Sequence, residues 1–141
     1  MSFLLYFFAA ATLQSGQWQT DPATAKQITV KDHKAIILLF QGSDWCAPCM
    51  NLDKEIWQAS AFNDLAQYTF VMLRADFLRK RAKVISKERD AANAQLAETY
   101  NKKGIFPFAV VLDSTSKKLG EAGSEKIAPQ EYYKLRFNFI K

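Results

Sequence analysis

Gly42-Ser43-Asp44-Trp45-Cys46-Ala47-Pro48-Cys49 holds both cysteines of the chain. It joins a wholly apolar run, Ala35-Ile36-Ile37-Leu38-Leu39-Phe40, to a segment with helical spacing. Cysteines three residues apart on a helix stand one above the other, with Cα atoms about 5 Å apart, inside the window a disulfide requires. Pro48 falls in the first turn, where its missing N–H costs nothing and its fixed φ suits the helix. Cys46 then sits at the helix N-terminus. There the free backbone N–H groups and the positive end of the dipole favour a thiolate over a thiol of pKa roughly 8.5. The stretch reads as a reversible dithiol in which Cys46 attacks and Cys49 resolves the mixed disulfide.

Outward from this turn, residues 35–40 read as a central parallel strand covered on both faces. The helix after Cys46 is expected to run to about Ala59, with Cys49, Leu52, Ile56 and Ala59 on one stripe and Met50 and Trp57 widening it. Ser60 is expected to cap a further turn that packs Phe62 and Leu65 inward. Residues 69–75 form the next strand, completing a βαβ unit. Upstream, Asp21-Pro22 is a cap-and-proline start for a short helix to about Val30, with Ala25 and Ile28 on its apolar side. Downstream, a helix is expected from near Ser86 to about Tyr100, burying Ile85, Ala92, Leu96 and Tyr100 and stopped by Gly104. Residues 108–112 are a buried strand, and residues 118–122 its antiparallel edge partner. Pro129 starts a closing helix that packs Tyr132, Tyr133, Phe137 and Ile140 on the sheet. The alternation gives an α/β sandwich, helices flanking a central mixed β-sheet.

The chain has 141 residues, 49% of them apolar, and a formal charge of +5. That suits one domain with a real core. Two cysteines cannot staple a secreted mini-protein, and a closed zinc site needs four ligands where the chain offers two cysteines and one histidine, His33. No metal and no cofactor are therefore expected. His33 reads as a loop residue. The cluster Arg79-Lys80-Arg81-Ala82-Lys83 fits a nuclear-localisation pattern but reads as solvated surface, and no nucleic-acid partner is expected. Residues 1–13 are apolar and too short to span a bilayer. They have the length of a signal-peptide core, and Ala9-Ala10-Ala11 supplies a small-residue cleavage pattern, although no Lys or Arg precedes them. The alternative is an apolar N-terminal segment that packs on the domain. With a signal the protein is extracytoplasmic; without one it is cytoplasmic.

Trp45-Cys46-Ala47-Pro48-Cys49 after an apolar strand resembles the active site of the thioredoxin-like family. Residues 40–46 are similar to a bacterial extracytoplasmic subgroup, which would place the chain in a periplasm. A second match lies at Gly104-Ile105-Phe106-Pro107, and the resemblance runs in order over residues 18–141. It implies a thioredoxin-like three-layer sandwich and a thiol–disulfide oxidoreductase, with catalytic Cys46 and Cys49. It implies a cis Phe106–Pro107 bond facing the cysteines, where Trp45, Phe106 and Pro107 would hold an extended protein segment. Ala47 and Pro48, close to the reductase-type Gly-Pro dipeptide, point to a reductant. Implied partners are protein substrates carrying disulfides or thiols and a redox partner that exchanges electrons, with the chain itself a monomer. One departure stands out: thioredoxins carry a buried aspartate where this chain has Leu39 or Phe40, and often a lysine near Met72. Proton transfer at Cys49 would then fall to water or to Asp44, whose other reading is a loop cap. The competing function is a binding or chaperone-like module on the same fold, with a structural disulfide.

Overall fold

Seven consecutive residues, Ala35–Gln41, form β1, and all seven are buried. The computed structural model describes residues 18–123; the apolar segment 1–13 and the helix expected from Pro129 lie outside the described residues. β1 is the second of four strands in the order β2-β1-β3-β4, with β2 at Phe70–Asp76, β3 at Phe108–Leu112 and β4 at Lys118–Ala122. It pairs parallel with β2 and antiparallel with β3, and β3 pairs antiparallel with β4. The mixed sheet and the edge position of residues 118–122 are as expected. The outer edge of β2 is capped by a single bridge, in which the Gln19 N–H donates to Met72 O at 2.7 Å and the Arg74 N–H to Gln19 O at 2.8 Å.

Helices cover both faces. On one side Ile36, Leu38 and Phe40 pack against Ala25 and Ile28 of α1 (Pro22–Asp32) and Leu96, Ala97 and Tyr100 of α4 (Lys87–Tyr100). On the other, Ile37 and Leu39 pack against Leu52 of α2 (Ala47–Leu52), Ile56 and Trp57 of the turn that follows, and Phe62 and Ala66 of α3 (Ser60–Ala66). Burying one such aliphatic side chain contributes roughly 1.5–3 kcal/mol. A central strand buried on both faces is therefore the chief energetic anchor of the domain.

The helix starts follow local chemistry. The Asp21 carboxylate accepts the Ala23 N–H at 3.3 Å and the Thr24 hydroxyl at 2.8 Å, and Pro22 takes the first turn. α1 runs two residues past Val30 and ends where His33 adopts φ 54°, so His33 is a helix cap in a loop. Ser86 caps α4 by accepting the Arg89 N–H at 3.1 Å.

Four expectations are corrected. Met50 is 44% exposed, because the buried stripe of α2 passes through Cys49 and Leu52 and leaves Met50 facing solvent. Residues Asp53–Trp57 form a π-helical turn, closed by the Gln58 N–H to Asp53 O at 2.9 Å, in place of continuous α-helix. Ala59, with no side-chain hydrogen bond, caps α3 in place of Ser60; the Asn63 amide pins that junction by donating to Trp57 O and Ala59 O. With the start shifted, Phe62 and Ala66 turn inward and Leu65 outward. The side of α4 expected to face the core does so: Leu96 and Tyr100 pack against it half-buried, Ile85 and Ala92 are half-buried as well, and Asn93, whose amide donates to Asp76 O at 3.3 Å, is the one wholly buried residue of the helix.

Candidate active site

β1 ends by delivering Gly42 and the turn to α2. The Cys46 N–H donates to Gly42 O at 2.9 Å and the Trp45 N–H to the same oxygen at 3.3 Å. A Cβ on Gly42 would stand 2.2 Å from the Trp45 indole, so only glycine leaves room for that ring. Cys46 is extended, at φ −94° and ψ 100°, and is the N-cap of α2; its Sγ accepts the Cys49 N–H at 3.2 Å. The two cysteines are joined as a disulfide with Cα atoms 5.2 Å apart, matching the spacing expected for one helical turn. Cys46 is 5% exposed and Cys49 2%, so the outer sulfur is only slightly the more open one. In the reduced state the same N–H and the start of the helix would face a Cys46 thiolate, which they stabilise.

Trp45 is held on four sides. Its Nε1–H donates to Phe77 O at 2.5 Å. Its ring meets Phe106 edge-on at 5.5 Å, lies against Gly42, and carries the Arg79 guanidinium 3.7 Å from its centroid. Phe77 meets Phe106 at 5.4 Å. These rings tie the cysteine turn, the loop after β2 and the loop before β3 into one corner. The Phe106–Pro107 bond is cis, as the resemblance implied, and Pro107 is buried at the entry to β3. Asn101 presents that loop: its amide donates to Ile105 O at 2.9 Å, and its oxygen accepts the Ile105 N–H at 3.0 Å. Gly104, at φ +63°, supplies the left-handed residue the loop requires.

Asp44 does not reach toward the sulfurs as a base would. Its carboxylate accepts the backbone N–H groups of Arg79, Lys80 and Arg81 at 3.0, 2.8 and 2.7 Å. These bonds, the Arg79 N–H foremost, hold its carboxyl below the usual aspartate range. Asp44 therefore fastens the cysteine turn to the loop after β2, which favours the loop-cap reading. A second clasp lies beside it: Asp76 accepts the Ser43 N–H at 2.9 Å and the Ser43 hydroxyl at 2.5 Å. Leu39 and Phe40 are fully buried and apolar, so the interior offers no carboxylate at those positions. Ala47 and Pro48 are exposed at the start of α2. Among the described residues no three His, Cys, Asp or Glu side chains gather as metal ligands.

Sequence reasoning missed Asn101, Asp76, Phe77 and Arg79 as builders of this corner. For Asp76, Phe77 and Arg79 the signal is weak because each acts on residues far from it in the chain. Only the Asn101-to-Gly104 turn had a local cue, an amide side chain just past a helix end.

A family model described as thioredoxin-like matches residues 17–114. Over 117 residues, 83% of its length, the chain is 36% identical to the disulfide bond reductase DsbH of Chlamydia pneumoniae, of which it spans 66%, just under two thirds. It is 31% identical over 67 residues to the thioredoxin-related protein DsbJ of the same organism, covering 48% of this chain and 19% of that one. A solved structure of DsbH oxidoreductase superposes with a TM-score of 0.81 at 31% identity, over 88% of this chain and 83% of that one. A thioredoxin from Thermus thermophilus shares the fold at a TM-score of 0.66 and 19% identity, over 90% and 89% of the two chains. The family model spans well over half of the chain, and the fold superposes on these structures: the chain belongs to the thioredoxin-like family.

Proposed function

We infer that this protein is a thiol–disulfide oxidoreductase that exchanges protein disulfides through Cys46 and Cys49 and works as a reductant. One observation carries the reading: the two cysteines close a disulfide at the N-cap of α2, where a backbone N–H already points at Cys46 Sγ. The likeness to a disulfide bond reductase supports the direction of electron flow. In the dithiol state the Cys46 thiolate attacks a sulfur of the partner's disulfide. That bond breaks, a Cys46–partner disulfide forms, and one partner thiolate leaves. Cys49 then attacks Cys46 Sγ, releasing the second partner thiol and closing the Cys46–Cys49 bond. Two electrons pass to the substrate, and a dithiol redox partner returns them. Trp45 and Phe106 flank the reacting sulfurs, and the backbone beside Phe106 pairs with an extended substrate strand. With Asp44 occupied by three N–H groups and apolar residues at 39 and 40, water carries the Cys49 proton.

Cys46→Ser should abolish reduction of a protein disulfide, and Cys49→Ser should accumulate the mixed disulfide on Cys46. Full activity of Cys46→Ser would refute the reading. The near-complete burial of both sulfurs favours a second reading, a binding module with a structural disulfide. Its mark would be a reduction potential below about −300 mV. An extracytoplasmic site of action rests on residues 1–13 acting as a signal. No helix among the described residues is long and apolar enough to cross a membrane. Fractionation of the full chain tests the placement.

A further inference from the structure

Residues 79–83 carry Arg79, Lys80, Arg81 and Lys83, all exposed. The composition alone makes them solvated surface. The structure puts them beside the cysteines by two independent means. Asp44, two residues before Cys46, accepts the backbone N–H groups of Arg79, Lys80 and Arg81. The Arg79 guanidinium lies over Trp45, the residue preceding Cys46. Asp44 thus spends its acceptors on main chain and not on the cationic side chains. Among the described residues none of these four cations is within ion-pair distance of a carboxylate. The strip is clamped in place and electrostatically unmatched.

We propose that residues 79–83 are a docking strip for an acidic polypeptide segment flanking the disulfide of the protein partner. This deepens the reading above and rests on it. Carboxylates on the partner would meet Lys80, Arg81 and Lys83 while its disulfide approaches Cys46 past the Arg79–Trp45 edge. Complementary charge of this kind raises the rate of encounter and is weakened by salt.

The test uses the full chain, reduced beforehand and freed of reductant. It is mixed in single turnover with two synthetic peptides of equal length, each with one internal disulfide flanked by glutamates or by lysines. A third substrate, the uncharged bis(2-hydroxyethyl) disulfide, reports on thiol–disulfide exchange itself; no reaction there would sink the proposed function, whatever the peptides do. With exchange intact, the acidic peptide should react about tenfold faster than the basic one at low salt, the gap closing at about 0.5 M salt. The double substitution Lys80→Glu/Arg81→Glu should remove or invert the preference, and Lys80→Gln/Arg81→Gln should halve it or more. Equal rates for the two peptides with the unsubstituted protein would overturn the proposal. So would a preference that survives charge reversal. Binding of the loop to phosphatidylglycerol vesicles without any peptide preference would overturn it too, and assign the strip to an anionic lipid surface.

Discussion

β1 and the loop leaving β2, residues 77–86, both border the cysteine turn, and they are held there by different means. β1, laddered to β2 and β3, is anchored further by its side chains: seven residues, all buried, pressed between two helical layers. The loop is anchored mainly through its backbone. Three of its N–H groups are bound by Asp44, Phe77 O receives the Trp45 indole N–H, and the Phe77 N–H donates to Gln41 O at 2.8 Å. Its own side chains face outward or, like Phe77, lie half-buried. A strand held by its side chains has no freedom to vary them. A loop held by its main chain can carry any surface chemistry the site requires, and here it carries four cations.

The contrast breaks first, and by the largest margin, at Leu38. That side chain is fully buried, and Leu38→Ala should cost about 2–5 kcal/mol in urea denaturation. Exchange activity per folded molecule should be retained. A loss below about 1 kcal/mol would mean that β1 is not the anchor described.

Gly42→Ala is the intermediate case, where strand passes into turn. The new methyl overlaps the Trp45 indole, so the ring must leave its place. A cost of about 1–3 kcal/mol is expected, with a red-shifted tryptophan emission and slower exchange. Unchanged emission and stability would show that the turn yields instead.

Asp44→Asn should have the smallest global effect and the most local one. Amide hydrogen exchange at Arg79, Lys80 and Arg81 should accelerate while that of β1 stays slow; uniform protection across both would erase the contrast. The pH dependence has a definite sign. The folded carboxyl titrates below its ordinary value, so its contribution to stability is fully present above the unfolded pKa of about 4. It is lost as the pH falls through the lower folded value. The asparagine variant should lack that segment of the acid-unfolding curve, which thermal melts across the acid range would reveal.

The same contrast explains what could be read from the chain alone. β1, the Asp21 cap, the cysteine pair and the edge partner of β3 are legible because each depends on neighbours in sequence or on an unbroken apolar run. The loop's place at the site was not. Nothing in Arg79-Lys80-Arg81 announces that Asp44 binds its amides from 35 to 37 residues away. Met50 as a widening of the α2 stripe and Leu65 as an inward residue are the expectations that fail, for both face outward. Asn93 has no place in the apolar pattern, though its amide bonds the main chain beneath the sheet's end. Long-range polar contacts leave little periodic trace; apolar burial does.

The π-helical turn at Asp53–Trp57 has a consequence for the cysteines themselves. An α-helix advances about 100° per residue, which would splay Ile56 and Trp57 widely apart. The wider coil narrows that angle, and both side chains enter the interior, Trp57 meeting Trp18 and Phe62 edge-on. It works like a slip joint in a screw. The heavy rings seat themselves at the far end while the sulfurs keep their own bearing at the near one, so refitting the aromatic floor need not re-aim the reactive tip.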